Sequence, residues 1–376
     1  MDVITAQVLE RAICNTGNLS RIRTVFDKAE AGGPITIGFI GGSITMGSLS
    51  SRKETCYAYL VYEWWKKTFP AAVISYVNTG IGGTDSHFGA ARAEIDLLVR
   101  KPDLVFVEFS VNDDSSEHYM RTYEGLLRRI LSQDHSPAVV VVNSVRYDNG
   151  INAQEYHNRV AGYYELPVIS MKNSLYQAVL SGILKKEEIT PDNLHPNDLG
   201  HLLMAEVITG VLYRLWKSCG RIGNEGPYHI PEEPLTACGY EDAERFRNDN
   251  CDPVTAGFVP DGREQSGICD GFKKGWTGRK EGDAIIFYLT GGNLAVQYRK
   301  TIKKPAPSAC AIVDDDERNA VVLDGNFNED WGDCLYLQDV LADGERKEHK
   351  LEIRIVHTPE DCVSDFYLIS VIASDR

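Results

Sequence analysis

The stretch "ITIGFIGGSITMGS", Ile35 to Ser48, decides how the first half of the chain is read. An apolar run from Ile35 to Ile40 stops at two glycines, and Ser43 follows. Short runs of this kind read as strands buried on both faces. Ser43 then lies where a strand hands over to a helix. A phosphate-cradling P-loop would need Lys after Gly47, and Ser48 stands there. The nucleophile elbow G-x-S-x-G would need a glycine at 45, and Thr45 stands there. An ordinary helix N-cap and a nucleophile of another kind remain, and other parts of the chain must choose between them.

The chain around this stretch has 376 residues, enough for two domains that each bury a core. It is 43% hydrophobic and 25% charged, with no signature of disorder. A formal charge of −15 argues against nucleic acid, whose phosphates need a basic surface, and against an anionic membrane. A neutral sugar or simple ester suits it better. Asp2, Glu10 and Arg11 fall where a signal peptide would need an unbroken apolar core, and no run approaches the ~20 apolar residues of a membrane span. Nine cysteines, an odd number without a CxxC pair, point to reduced thiols in a cytoplasm.

Further strand-like runs occur at Val73–Val77, Leu104–Phe109, Ala138–Val142 and Pro167–Met171. Helical patterns alternate with them. In "SHFGAARAEIDLLVR", Phe88, Ala91, Ile95 and Leu98 share helical spacing, with Asp85 or Ser86 as N-cap. This alternation predicts an α/β layered domain with a parallel sheet. "GRIGNEGPYHIPEEPLTACG" reads as a linker, and helix patterns nearly vanish beyond it. "DAIIFYLTGGNLAVQYRKT" holds two strand-like runs joined by Gly291-Gly292, a hairpin signal. "HKLEIRIVHT" and "DFYLISVIAS" alternate like half-buried strands. The expected organisation is an α/β domain over residues 1–220, a linker over 221–235 and an antiparallel β-sandwich over 236–376.

Other strand ends raise the chemical reading of Ser43. The second strand runs into "NTGIGGTDS", which fails the dinucleotide fingerprint because Asp85 stands where a glycine is required. Its glycines suit a tight turn with an exposed backbone N–H. The third strand ends in "EFSVND". Ser43, Gly83 and Asn112 thus each follow the carboxyl end of a separate strand, the edge where open parallel sheets bind ligands. A hydroxyl with several N–H donors suits acyl transfer. "TPDNLHPNDLGH" supplies Asp192 and His195 just before the last long helix. A carboxylate three residues back reaches the imidazole Nδ1 and leaves Nε2 for the serine.

On these blocks the first 215 or so residues resemble the SGNH hydrolases, the GDSL-type esterase superfamily. "GGSIT" matches its first block, with Ser43 as nucleophile. "NTGIGG" matches the second, with Gly83 as backbone oxyanion donor, and "SVND" the third, with Asn112 as side-chain donor. "DNLHP" carries Asp192 and His195. Two positions depart from the pattern: Gly42 replaces the usual aspartate before the serine, and Ser110 replaces a glycine, which implies a narrower pocket. The resemblance implies a three-layer α/β/α flavodoxin-like domain and no metal in the reaction.

The loops beside these blocks, "GSLSSRKETCYAYL" and "NDDSSEHYMR", are polar with interleaved aromatics and suit hydroxyl-bearing ligands. Asp113 reads as a residue that orients its loop. His87, His118 and His201 read as surface or supporting residues. The two-part layout resembles bacterial intracellular carbohydrate O-acetylesterases with a carbohydrate-binding sandwich (jelly-roll), above all the mannan acetylesterases that remove 2-O-acetyl groups. Sandwiches of this kind bind sugars on aromatic platforms, which makes Trp331 in "GNFNEDWGD" and Trp276 in "KGWTG" candidates, with a packing role the other reading of each. "CGYEDAERF" resembles the acidic start of calcium-binding sugar modules, and "DDDE", Asp314 to Glu317, also offers carboxylates. Neither has EF-hand spacing, so both read as solvated turns, with calcium the one cofactor left open. A homo-oligomer is likewise left open. Rival readings are a lysophospholipase or thioesterase of the same superfamily, and a non-catalytic carbohydrate-binding protein with a degenerate hydrolase domain.

Overall fold

The structure, a computed structural model, describes residues 3–219, 226–237 and 239–375. The chain forms two compact units, Met1–Thr236 and Ala237–Arg376. Residues 221–225 of the expected linker, and Cys238 at the head of the expected calcium-module stretch, lie outside the described residues.

In the first unit six strands make one sheet: β1 (Ile13–Asn15), β2 (Pro34–Gly41), β3 (Val73–Asn78), β4 (Leu104–Glu108), β5 (Ala138–Asn143) and β6 (Val168–Ser170). Their order is β1-β6-β5-β4-β2-β3, and β2 to β6 run parallel. The helices are α1 (Ala6–Ala12), α2 (Ser20–Glu30), α3 (Ser43–Met46), α4 (Tyr57–Thr68), α5 (Ser86–Asp96), α6 (Glu117–Leu131), α7 (Gln154–Tyr163), α8 (Leu175–Leu180), α9 (Lys186–Ile189) and α10 (Asp198–Cys219). Ile35, Ile37, Phe39, Leu104, Phe106, Val140 and Val142 face one core with α2, α4 and α10. The alternate residues Ile40, Val105, Val107, Val139 and Val141 are buried as well, on the side that α5 and α6 cover. Both faces of β2, β4 and β5 are therefore dry, which explains their continuous apolar runs, whereas β3 at the sheet edge is only partly buried and leaves Val73 exposed, contrary to the reading of Val73–Val77.

Two further expectations need correction. The sheet is mixed, because β1 pairs antiparallel with β6 at its edge; three residues, "ICN", are too few for a periodic signal. The stripe through Ile95 also breaks. The helix α5 ends at Asp96, Ile95 faces solvent, and Leu98 is buried from a separate 3₁₀ turn.

β2 is the switch point of the sheet. The chain leaves it for β3 on one side and then returns to β4 on the other. The carboxyl ends of β3, β2 and β4 therefore stand side by side and open one crevice.

The second unit holds strands β7 (Glu244–Phe246), β8 (Val254–Ala256), β9 (Val259–Pro260), β10 (Trp276–Gly278), β11 (Ala284–Gly291), β12 (Asn293–Lys300), β13 (Ser308–Val313), β14 (Val321–Asp324), β15 (Cys334–Leu341), β16 (Lys347–His357) and β17 (Phe366–Ser374). One sheet runs β15-β12-β17-β10-β9, with β7 also paired to β17, and the other runs β14-β13-β16-β11-β8. Ile285, Phe287, Leu351 and Ile353 of one meet Val296, Tyr298, Phe366 and Leu368 of the other in a shared core. The expected hairpin at Gly291-Gly292 is absent. β11 pairs with β16 and β8, and β12 pairs with β15 and β17. Only Gly292 separates the two strands, too short for a two-residue reverse turn, so the chain crosses between sheets there. No helix among the described residues is long and apolar enough to cross a membrane.

Candidate active site

The one-turn helix α3 begins at Ser43, directly after β2 and Gly42. Ser43 is only 7% exposed, so its hydroxyl opens on a narrow space. His195 comes to it from the segment before α10. Its Nε2 lies 2.8 Å from Ser43 Oγ, and its Nδ1 lies 2.6 Å from Asp192 Oδ2. With Nδ1–H donating to the carboxylate, Nε2 is left as acceptor toward the serine hydroxyl. Asp192 Oδ1 also accepts the backbone N–H groups of Leu194 and His195, which fixes the bend between the two residues. Partial burial pushes the Asp192 carboxyl up. Hydrogen bonds from the His195 side chain and from the two backbone N–H groups outweigh that and hold it below the usual carboxylate range.

The segment is anchored at both ends. The Tyr147 N–H donates to Asn193 O at 2.7 Å. Asp198, the first residue of α10, accepts from Ser51 N, Ser51 Oγ and Thr55 Oγ1, and these bonds draw its carboxyl down to about 2. That ties the His195 segment to the loop that follows Ser43.

The expected oxyanion donors border the same crevice. Gly83 has φ +67, a left-handed conformation that glycine adopts without strain, in the turn between β3 and α5. A Cβ built on the neighbouring Gly82 would lie 3.8 Å from Ser43 Cβ, so this turn packs against the serine. Asn112 follows β4, and a Cβ on Gly42 would lie 2.1 Å from its Oδ1, which places its amide beside the residue that precedes Ser43. Ser43, Asp192, His195, Gly83 and Asn112 are thereby brought to one edge of the sheet, a constellation suited to attack on an acyl carbonyl.

Below this edge lie supports that no short motif announced. Arg92 of α5 is fully buried and donates to Thr79 O (2.6 Å) and Gly41 O (3.2 Å), with Asp96 as counter-charge at 3.2 Å. Tyr57 OH, Thr45 Oγ1 and Glu108 form a buried chain, 2.8 Å and then 3.3 Å long. Burial, the largest influence, lifts the Glu108 carboxyl to about 7. The only hint of either support in the sequence is a charged residue inside an apolar pattern.

The lifted Glu108 gives a stability prediction. Between about pH 4.5 and 7 the folded chain keeps a proton on Glu108 that the unfolded chain has released. This contribution to stability is present in acid and is lost as the pH rises through 7. Glu108→Gln keeps the shape and stays neutral. Its stability relative to wild type should improve by about 2–3 kcal/mol between about pH 5 and 8, at ~1.4 kcal/mol per unit. Urea unfolding at both values checks this, and an unchanged gap would show that Glu108 is ionised throughout.

Several sequence expectations change. Ser110 is fully buried, and its Oγ donates to Ser144 O at 3.1 Å, so it is tied off below the crevice and does not narrow it. Of the two roles open to His201, the supporting one holds: it is buried, accepts from Tyr57 N and stacks on that ring, and burial lowers it to about 4. Trp276 is 2% exposed and packs edge-on against Phe287 inside the sandwich core, so it has no face to offer a sugar. Trp331 is 53% exposed, with its ring T-shaped to Phe327 at 4.9 Å between centroids and its indole N–H donating to Glu329. The acidic run after β13 is matched by bases: Asp314 with His349 and Lys347, Asp315 with Lys350, and Glu317 with Arg354.

Residues 39–203 match the model of the GDSL-like lipase/acylhydrolase family. The chain belongs to that family, and it is an esterase. Among solved structures it is 51% identical to a two-domain esterase active on acetylated mannans, with a TM-score of 0.94. The match covers 97% of this chain, 97% of the chain co-crystallized with mannopentaose and 98% of the chain in a second structure of that esterase. A curated relative, the acetylxylan esterase of Geobacillus stearothermophilus, is 28% identical over 197 residues, 44% of this chain and 89% of that protein.

Proposed function

We propose that this chain is a serine esterase that removes O-acetyl groups, the 2-O-acetyl group foremost, from manno-oligosaccharides. The observation that carries the reading is the Asp192–His195–Ser43 relay, closed by hydrogen bonds of 2.6 and 2.8 Å at the switch point of the sheet. The whole-length likeness to an esterase active on acetylated mannans supports the choice of sugar.

In the reaction His195 Nε2 takes the proton of Ser43 Oγ as that oxygen bonds to the acetyl carbon. The carbonyl oxygen becomes an oxyanion, held by the N–H groups of Ser43 and Gly83 and by Asn112 Nδ2. Collapse breaks the bond to the sugar oxygen, which leaves with the proton from His195. Water then gives a proton to His195 and attacks the acetyl-enzyme. Acetate departs, and Ser43 recovers its hydrogen. Asp192 stabilises the imidazolium in both halves.

Trp331 supplies an exposed aromatic face for a pyranose ring, a role its solvent-facing indole supports. The reaction is placed in a bacterial cytoplasm, a reading that nine cysteines in odd number support. Mass spectrometry of acetylated mannan and xylan oligosaccharides after incubation tests the reading. Stepwise acetyl loss from mannan fragments, faster than from xylan fragments and slowed by Trp331→Ala, is the expected outcome. Preference for long-chain esters, or glycan binding without turnover, would overturn it.

A further inference from the structure

We propose that Asp113 and His157 form a buried positioning pair that holds the two oxyanion donors, Gly83 and Asn112, at a fixed separation. The proposal rests on the reading of those donors given above. They come from loops after β3 and β4, and these strands do not touch, because β2 lies between them. No ladder of backbone hydrogen bonds can set the distance from one loop to the other.

The Asp113 carboxylate does so. Its Oδ1 accepts the Ser86 N–H at 2.9 Å, three residues beyond Gly83 at the start of α5. Its own main chain belongs to the turn that carries Asn112, since the N–H groups of Asn112 and Asp113 both donate to Phe109 O. The second oxygen, Oδ2, accepts from His157 Nε2 on α7, also at 2.9 Å. Both side chains are wholly buried. The helix α7 is tied to the same turn again, through Ala153 N–H to Ser110 O at 2.7 Å. One carboxylate thus joins the Gly83 loop, the Asn112 turn and α7.

His157 looks costly unless this bond matters. Its ring lies flat on Tyr123, 3.6 Å between centroids and 4° from parallel, a place a phenyl ring would fill. Its Nδ1 is buried with no hydrogen-bond partner. Buried polar atoms without partners are rare and destabilising. What the imidazole supplies that a phenyl ring cannot is the N–H to Asp113. Without it a buried carboxylate would keep a single backbone donor. Neither residue belongs to the Ser43 relay, so both act through Gly83 and Asn112. Donors that stabilise developing charge must be set in place beforehand, and a displacement of about 1 Å can cost about 100-fold in rate.

The test compares 4-nitrophenyl acetate with its thionoacetate, at a temperature where each variant is folded. Sulfur is larger than oxygen and a weaker acceptor, so the ratio of the two rates reads the fit of the donors, whereas a loss of stability alone does not move it. His157→Phe keeps the stack on Tyr123 and should lower kcat on the oxygen ester about 10–100-fold, shift KM less than about threefold, and shrink the oxygen-to-sulfur ratio. Asp113→Asn should do the same. His157→Gln, whose amide N–H can reach Asp113, should recover most of the rate and the ratio. A wild-type ratio in His157→Phe or Asp113→Asn overturns the proposal, whatever happens to rate or melting temperature. If His157→Phe does not fold, the ratio in Asp113→Asn decides. Ser43→Ala is run alongside: turnover by that variant would overturn the reading of the nucleophile, a failure distinct from that of the pair.

Discussion

Ser43→Ala should abolish turnover of 4-nitrophenyl acetate, with kcat falling by about 10⁴–10⁶, and leave the melting temperature close to wild type. The hydroxyl bonds to His195 Nε2, and the imidazole is partly exposed, so water can replace the lost partner. The helix α3 keeps its backbone bonds, among them Met46 N to Gly42 O and Ser48 N to Ser43 O. Little of the fold therefore depends on Oγ, while the attack depends on it entirely. Stopped assays and a thermal melt on one preparation check the prediction. A variant that unfolds, or one that retains percent-level activity, would mean that Ser43 is a structural cap.

The second large effect is expected from Gly42→Asp, which restores the aspartate usual before the serine in this superfamily. In this chain a Cβ at 42 would lie 2.1 Å from Asn112 Oδ1 and 2.8 Å from its Cγ. The Asn112 side chain would have to swing away and withdraw its donor. Loss of one such donor costs ~3 kcal/mol of barrier, so kcat should drop by about 100-fold. Asn112→Ala should cost about the same, and the double variant little more than either, because both changes remove one group. Additive losses in that cycle, or near-wild-type kcat for Gly42→Asp, would show that Asn112 tolerates its neighbour.

What the sequence made legible follows from how each signal arises. The runs of β2, β4 and β5 could be read because both faces of the sheet are buried, and Ser43, Gly83 and Asn112 could be placed because each directly follows such a run. His195 carried its own partner three residues back. The edge strand β1 was too short to leave a pattern. Gly291-Gly292 misled because the pair fits a tight turn as readily as a crossing, and only the partners of β11 and β12 decide between them. Trp276, flanked by glycines, could be read as a packing residue or a sugar platform, and the strand it opens turns the indole inward, the packing role. His157 and Arg92 could not be found by motif. Their roles come from partners 44, 51 and 13 residues away, a separation that leaves no local trace.

Arg92 has one further consequence. A guanidinium sealed beneath Gly41 and Thr79 bolts two strand ends together through their main chain, independently of any side chain on the rim. The segment at 114–118 can then diverge around a constant hydrolytic floor, whereas 48–55 stays fixed to it through the bonds of Ser51 and Thr55 to Asp198. Retuning this scaffold toward a different alcohol becomes a matter of grafting that rim loop, and the place to leave alone is the cation underneath.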